Sequence, residues 1–518
     1  MPYTYYIYIY AMKPISLLPL LSLLPATLSA QQSGERPNVI LLVADDLGYG
    51  DLSCYGAAAG LTPHTDSIAR HGLRFTDAHA CASTSTPSRY ALLTGEYPFR
   101  RRGTDVAAGD AALIIKPEQF TLADLFKNNG YTTAAIGKWH LGIGSAGGRQ
   151  NWNDTIDKDL SHLGFDYHYI MAATADRVPC VYIENGRVAH YDASAPIAVS
   201  YRQPFEGEPT ARTHPELLTK LRSSHGHDQA IVNGIGRIGY MKGGGSALWQ
   251  DETIADSIVH HAIEFMERQG DHPFFLYLCT NDIHVPRYPH ERFRGKSGMG
   301  LRGDAILQFD WTVGRIAEAL RHLGIADNTL LIITSDNGPV LDDGYADEAE
   351  ERIGNHRPAA HWRGGKYSAF EAGSAVPFIV NWPGKLPYNG TSNALVSHID
   401  AIASLAALLR APLPDGAAPD SRPQLATWLG RSTAPCPYAV KMASNRSLAL
   451  RTAKWKFIEP SQGAPIVPWG PKIETGYLNE PQLYNIKADS AERFNVAAQH
   501  PDTVARLKNL LNLIKVSP

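Results

Sequence analysis

Ser85-Thr86-Pro87-Ser88-Arg89 runs directly into Tyr90-Ala91-Leu92-Leu93-Thr94-Gly95 and places a small hydroxyl side chain one helical turn before a guanidinium. Pro87 suits the first turn of a helix, where its missing N–H would find no partner anyway. The spacing therefore predicts a helix beginning at Ser85, whose free N–H groups and dipole favour an anion. Arg89 projects from the same side and suits a two-pronged grip on a tetrahedral oxyanion. A second group is Asp45-Asp46, at the end of the apolar run Val39 to Ala44. Adjacent carboxylates repel unless a cation lies between them. Asp336-Asn337-Gly338 follows another apolar run, Leu330 to Thr334. Three carboxylates and an amide oxygen are hard ligands suited to Ca²⁺ or Mg²⁺. Either pair alone reads equally well as a helix cap, and the metal reading rests on finding both beside the Ser85 string. Proton carriers and fixed positive charge come from Lys138 and His140 after Thr132 to Ile136, and from His284 beyond Phe274 to Cys279. Lys366, in Arg363-Gly364-Gly365-Lys366, adds to them.

Apart from the Ser85 string and Lys366, these residues lie just past short, continuous apolar runs of the buried-strand type, to which Phe378 to Val380 belongs as well. Helical patterns alternate with them at Thr121 to Asn128, Ile254 to Arg268 and Ala305 to His322. The alternation predicts an α/β fold with a mostly parallel sheet covered by helices on both faces. Ligands in such folds sit beyond the C-terminal ends of strands, which is where the polar residues fall. The stretch from Gly142 to Trp249 is loop-rich and suits the walls of a substrate pocket. From about Tyr438 the pattern changes to short strands, Ser447 to Thr452 and Lys454 to Ile458, and then a closing helix from Pro501 to Lys515. This predicts a catalytic domain over 31–430 and a small α+β subdomain over 431–518, with Pro412 to Arg422 as a linker. Two strings, Gly142 to Gly147 and Gly298 to Gly303, fit GxGxxG. The first follows a polar turn and leads into no apolar helix, and the second follows a polar loop, so a dinucleotide site is not read from them.

The chain is long enough for a large core, with 518 residues, 44% of them hydrophobic. Its formal charge of −3 gives no support for a general nucleic-acid partner. Lys13, the leucine-rich run Ile15 to Leu28 and Leu28-Ser29-Ala30 read as a cleaved leader over 1–30. That run is short and broken by Pro14, Pro19 and Pro25, and no lipid-anchoring cysteine follows it, so no membrane anchor is expected. The reading is a periplasmic or secreted protein. Five scattered cysteines suggest neither a zinc site nor a disulfide framework.

The ordered motifs together resemble the type I (formylglycine-dependent, arylsulfatase-like) sulfatases. They are Pro37-Asn38, Asp45-Asp46, the Ser85 string, Gly137-Lys138-Trp139-His140, His284-Val285-Pro286, Asp336-Asn337-Gly338, Gly364-Gly365-Lys366 and the closing Gln482-Leu483-Tyr484-Asn485-Ile486. The resemblance implies an alkaline-phosphatase-like core and formylglycine made by oxidation of Ser85. It also implies one calcium bound by Asp45, Asp46, Asp336, Asn337 and residue 85. Arg89, Lys138 and Lys366 would spread charge on the sulfuryl oxygens, His284 would protonate the leaving oxygen, and His140 would take the proton that releases sulfate. Serine at position 85, where cysteine is commoner, resembles bacterial members matured by an anaerobic radical-type formylglycine-forming enzyme. Ala372-Gly373-Ser374-Ala375 departs from the family's usual Gly-Gly-x-Arg.

Asp176-Arg177 and the His225-Gly226-His227-Asp228-Gln229 string look like a subgroup of bacterial carbohydrate sulfatases acting on galactose or N-acetylgalactosamine. Asp176, Arg177 and His227 are thus expected to bind sugar, the Asp–Arg pair clamping an axial hydroxyl. A loop-stabilising ion pair is the equal alternative. Exo action on a 6-O-sulfate is expected first and on a 4-O-sulfate next. A phosphoesterase of the same superfamily, and an unmatured protein that merely binds sulfated glycans, are the rival readings.

Overall fold

Val39 through Ala44 are apolar and fully buried, the composition of a strand covered on both faces. A computed structural model of the chain describes residue 1 and residues 36–58, 60–386 and 388–517. The leader segment, residue 1 apart, lies outside the described residues. The strand Asn38–Ala44 occupies the middle of a ten-stranded sheet. Across that sheet the order is Gly390–Ser397, Gly72–His79, Phe378–Asn381, Thr329–Ser335, Asn38–Ala44, Phe274–Cys279, Thr132–Lys138, Tyr167–Met171, Tyr182–Glu184 and Arg187–Val188. The five strands from Thr329–Ser335 to Tyr167–Met171 are parallel neighbours. Phe378–Asn381 and Tyr182–Glu184 run against the rest, so the sheet is mixed but mostly parallel, as expected.

Register then fixes the site. Ala44 pairs with Ser335, Val43 with Cys279, Cys279 with Gly137, and Lys138 with Met171. The four strand ends that carry Asp45, Asp336, Lys138 and the chain leading to His284 therefore open side by side. Helices Ile254–Gln269 and Gly300–His322 match the apolar periodicity to within a few residues and bury Ile258, Phe265, Phe309 and Ile316 against the sheet.

A four-stranded antiparallel sheet, Ala439–Met442, Leu448–Arg451, Trp455–Ile458 and Gln482–Asn485, closes the chain with helix Pro501–Val516. Leu507, Leu511 and Ile514 of that helix pack with Val440, Leu450, Phe457 and Leu483, and the same cluster takes in Ala91 and Tyr97. The small sheet thus shares a core with the segment that carries Ser85. Pro412 to Arg422, read as a linker, is docked instead. The Asp420 carboxylate accepts from Arg100 Nε at 2.7 Å, from Nη2 at 2.6 Å and from the Tyr97 amide at 2.8 Å. Composition suggested a tether, but partly buried charge pairing ties the segment down. The five cysteines are free, in line with the absence of a disulfide framework. Among the described residues no helix is long and apolar enough to cross a membrane.

Candidate active site

The helix Ser85–Thr94 starts at Ser85, as the Pro87 spacing predicts, and all ten of its residues are buried. A helix buried on every side has no solvent face, so its N-terminus points into protein and whatever that protein encloses. Ser85 is 3% exposed. Its Oγ accepts from Lys138 Nζ at 2.7 Å and lies 3.4 Å from both Asp45 Oδ1 and Asn337 Oδ1.

Lys138 reaches this point because of the residue before it. Gly137 has φ +98°, and a Cβ there would stand 1.8 Å from the Cys279 carbonyl oxygen. Only glycine lets the strand end bend that way. Among the non-glycine residues of the site, Asp46 (φ 59°), His140 (φ 60°), His227 (φ 51°) and Tyr367 (φ 77°) also hold left-handed backbone. Strain of this kind persists where the surroundings over-determine it, commonly at functional sites.

The acidic residues converge with the cations interleaved. Lys138 Nζ donates to Asp45 Oδ1 at 2.5 Å, and Lys366 Nζ donates to Asp46 Oδ2 at 2.8 Å. Asn337 Nδ2 donates to Asp46 Oδ1 at 2.7 Å, which turns its amide oxygen toward Ser85. Arg89 lies behind the cluster, fully buried, with Nε 3.0 Å and Nη2 2.8 Å from Asp336 Oδ2. Arg89, expected from the sequence to grip the substrate anion, pairs here with a carboxylate of the acid cluster. Burial would raise the Asp336 carboxyl, but Arg89 and Lys138 outweigh it and hold it well below the usual range. Asp45 goes the other way: burial raises it, helped by Asp336 and Asp46, against His284 and Lys138. Asp45 Oδ2 is buried with no hydrogen-bond partner. An orphaned carboxylate oxygen among three buried acids and an inward-facing amide oxygen fits a hard divalent cation. His284 joins this group, since one of its ring nitrogens lies within 4.8 Å of ligand oxygens of Asp45 and Asp46.

The two histidines have distinct tautomers. His140 Nε2 faces the Ala107 carbonyl at 3.0 Å and must donate to it, which leaves Nδ1 as a lone pair with no partner. Burial, and then the Lys138 charge, push His140 well below its usual value, so it is neutral. His284 Nδ1 donates to the Val285 carbonyl at 2.7 Å, and Nε2 faces Lys366 Nζ at 3.3 Å.

Above this floor lies a cavity of about 700 Å³ lined by Ser85, His140, Asp176, Arg177, His227, His284 and Lys366 among others. Asp176 Oδ2 pairs with His227 Nε2 at 3.0 Å, while Thr174 bonds the other oxygen. Burial raises the Asp176 carboxyl, but Arg177 and His227 outweigh it and hold it well below its usual range. Gly344, at φ +113°, lets the His227 ring lie against the backbone, since a Cβ would meet Nδ1 at 1.9 Å. Sequence reasoning missed Asp343 and Tyr367. Asp343 Oδ2 takes a hydrogen bond from Lys366 Nζ at 2.8 Å, and Oδ1 takes one from the Tyr367 hydroxyl at 2.8 Å. No local motif marks Asp343; only the fold brings it to Lys366.

The sulfatase family model matches residues 37–411. The chain belongs to the sulfatase family. It is a sulfuric ester hydrolase on an alkaline-phosphatase-like core. It is 51% identical over 484 residues to an N-acetylgalactosamine-6-O-sulfatase of Bacteroides thetaiotaomicron, covering 93% of this chain and 94% of that one. Human arylsulfatase A is 30% identical over 94% of this chain and 90% of its own length. A solved sulfatase structure, described for the metabolism of multiple glycosaminoglycans by Bacteroides thetaiotaomicron, superposes with a TM-score of 0.90 at 51% identity, covering 93% and 99% of the two chains. The phosphonate monoester hydrolase of Agrobacterium radiobacter shares the fold alone, with a TM-score of 0.58 at 18% identity over 93% of this chain and 95% of that one.

Proposed function

We propose that this sulfatase removes the 6-O-sulfate from galacto-configured sugars at the ends of sulfated glycans, with N-acetylgalactosamine preferred. The observation that carries the chemistry is the Ser85 hydroxyl, set at a buried helix start 2.7 Å from Lys138 Nζ and facing Asp45 and Asn337. The choice of sugar is supported by near full-length similarity to the N-acetylgalactosamine-6-O-sulfatase.

Asp45, Asp46, Asp336 and Asn337, with residue 85, would hold one calcium, which supplies positive charge to the sulfuryl oxygens. Oxidised to formylglycine by an anaerobic radical-type maturation enzyme, residue 85 would supply as its hydrate one hydroxyl to attack sulfur and a second whose deprotonation expels sulfate. Lys138 holds the attacking oxygen and stabilises charge on it. His140 Nδ1 is an unpartnered lone pair in a neutral ring, the form a general base needs. His284 Nε2 faces the cavity floor beside Lys366 and, with both ring nitrogens protonated, would pass its Nε2 proton to the departing sugar oxygen. Lys366 keeps its charge because Asp343 and Asp46 outweigh burial and hold it well above its usual value. Asp176, Arg177 and His227 form the wall against which the hydroxyls of the sugar are read. Export through the residue 1–30 leader would place this activity in the periplasm or outside the cell.

Mass spectrometry of the peptide containing Ser85 tests the modification, since oxidation to the aldehyde removes about two hydrogen masses. A panel of 3-, 4- and 6-sulfated galactose, N-acetylgalactosamine and N-acetylglucosamine tests the sugar. Ser85→Ala should eliminate sulfate release on every member of the panel; retained turnover would refute the role given to residue 85.

A further inference from the structure

The cavity grades from buried polar groups at its floor to an exposed aromatic ring at its rim. Ser85 is 3% exposed, whereas Trp469 is 48% exposed and lines the same cavity. Trp469 sits at the tip of a hairpin in the C-terminal part of the chain. Val467 N donates to the Ile473 carbonyl at 2.9 Å, and Thr475 N to the Pro465 carbonyl at 2.9 Å. Pro468 and Pro471 flank the tip and reduce its freedom. The adjoining Gly470, at φ +145°, carries the His225 ring so closely that a Cβ would lie 2.2 Å from it. One edge of the indole is fixed as well, because Trp469 meets Tyr367 edge-to-face with centroids 5.0 Å apart. Tyr367 in turn bonds Asp343, the partner of Lys366. A large apolar ring is therefore held rigidly at the mouth of a polar pocket, tied through two side chains to the leaving-group end of the site.

We infer that Trp469 is the stacking platform for the sugar joined to the sulfated one, so that the enzyme favours a chain end over a free monosaccharide. The inference rests on the exo-acting carbohydrate reading above. One sulfated sugar would sit over Ser85 in the buried part of the cavity, among Asp176, Arg177 and His284. The next unit then lies at the rim, where the exposed apolar surface is the indole of Trp469 together with Val106. The apolar C–H face of a pyranose matches an indole face. An ordered ring with few rotatable bonds gives contact area at little entropic cost.

The test compares kcat/KM for a 6-O-sulfated N-acetylgalactosamine monosaccharide and for the same sugar joined to a second unit, using the matured full-length enzyme. Trp469→Ala should lower kcat/KM on the disaccharide by about tenfold and on the monosaccharide by less than about threefold, with the difference in KM. Trp469→Phe should restore most of the disaccharide rate, which a purely structural role for the indole would not require. Equal losses on the two substrates, or none on either, would overturn the inference. If the wild type ignores N-acetylgalactosamine 6-sulfate, the sugar reading fails separately, and the same ratio is measured on the sulfated sugar that it does cleave.

Discussion

Asp343 separates what motifs can reveal from what only a fold can. Ser85, Asp45, Asp46, Asp336, Lys138, His140, His284 and Lys366 are legible in the sequence because each stands in a short motif string, most of them next to a strand or helix boundary. Asp343 stands in an irregular loop and acquires meaning only from its 2.8 Å contact with Lys366. Burial alone would raise its carboxyl, but Lys366 and then His284 outweigh that and bring it down to about 2. It is therefore ionised throughout the neutral range and fixes both the charge and the position of the amine. Asp343→Asn keeps the shape and removes the charge, and should reduce kcat/KM by about 10- to 100-fold while the melting temperature stays near wild type. Steady-state kinetics paired with a thermal melt checks this; an unchanged kcat/KM would remove Asp343 from the site. Arg89 teaches the converse. Its spacing from Ser85 was legible, but its partner was not, because Asp336 comes from a strand far along the chain.

At the scale of elements, the buried strands were readable as apolar runs, and their direction was not. Phe378–Asn381 has the same composition as its parallel neighbours yet runs antiparallel to Thr329–Ser335 and Gly72–His79. Gly72–His79 and Gly390–Ser397 escaped notice because polar residues interrupt them. Gly137 shows how one strand end becomes a catalytic position. In Gly137→Ala the new Cβ meets the Cys279 carbonyl at 1.8 Å and the residue keeps an unfavourable φ. The strand end must shift, taking Lys138 with it, so the variant should lose about 2 kcal/mol or more of stability and most of its turnover. Urea melts and sulfate release measure the two losses, and near wild-type values for both would disprove the constraint. His168, in Tyr167–Met171, gives this side of the sheet a pH dependence. Its Nε2 accepts the Gly186 amide at 2.9 Å, a bond that needs the neutral ring. Burial brings His168 down to about 4, against a small opposing pull from Asp159. The unfolded chain binds this proton from about pH 6.5 downward while the folded chain resists until near 4. The stabilisation is thus complete above about pH 6.5 and is lost as pH falls toward 4, in total on the order of 3 kcal/mol. His168→Gln should flatten the dependence of melting temperature on pH between 6.5 and 4; an unaltered slope would assign the acid sensitivity elsewhere.

At the scale of the molecule, the small C-terminal sheet is joined to the central one by buried charge as well as by apolar packing. Glu371 is fully buried and stands between the two sheets. Its Oε1 lies 2.5 Å from Lys441 Nζ and 3.2 Å from Lys456 Nζ, and its Oε2 lies 3.3 Å from Arg451 Nε and 3.6 Å from His79 Nε2. The three cations belong to the small sheet and His79 to the large one. Burial would raise the Glu371 carboxyl, but Lys441, Lys456, His79 and Arg451 outweigh it and hold it well below its usual range. Lys441 is pushed down to about 8 by burial, with Glu371 opposing. A second consequence reaches the active site, because the strand that carries Lys441 ends at Met442 and continues into Ala443 and Ser444 on the cavity wall. Breaking such a cluster at its shared acid leaves Lys441 without a counter-charge, and Arg451 and Lys456 with only Asp77 and Glu492, a larger cost than loss of one surface pair. Glu371→Gln should therefore destabilise the protein by about 3–5 kcal/mol. It should also weaken activity before global unfolding, as the small sheet loosens and carries the cavity wall with it. Hydrogen exchange of the Ala439–Met442 and Trp455–Ile458 amides separates this from a uniform loss of stability. Faster exchange concentrated in the small sheet is the expected result; equal acceleration in Asn38–Ala44 would mean that Glu371 supports the whole core and does not join its two parts.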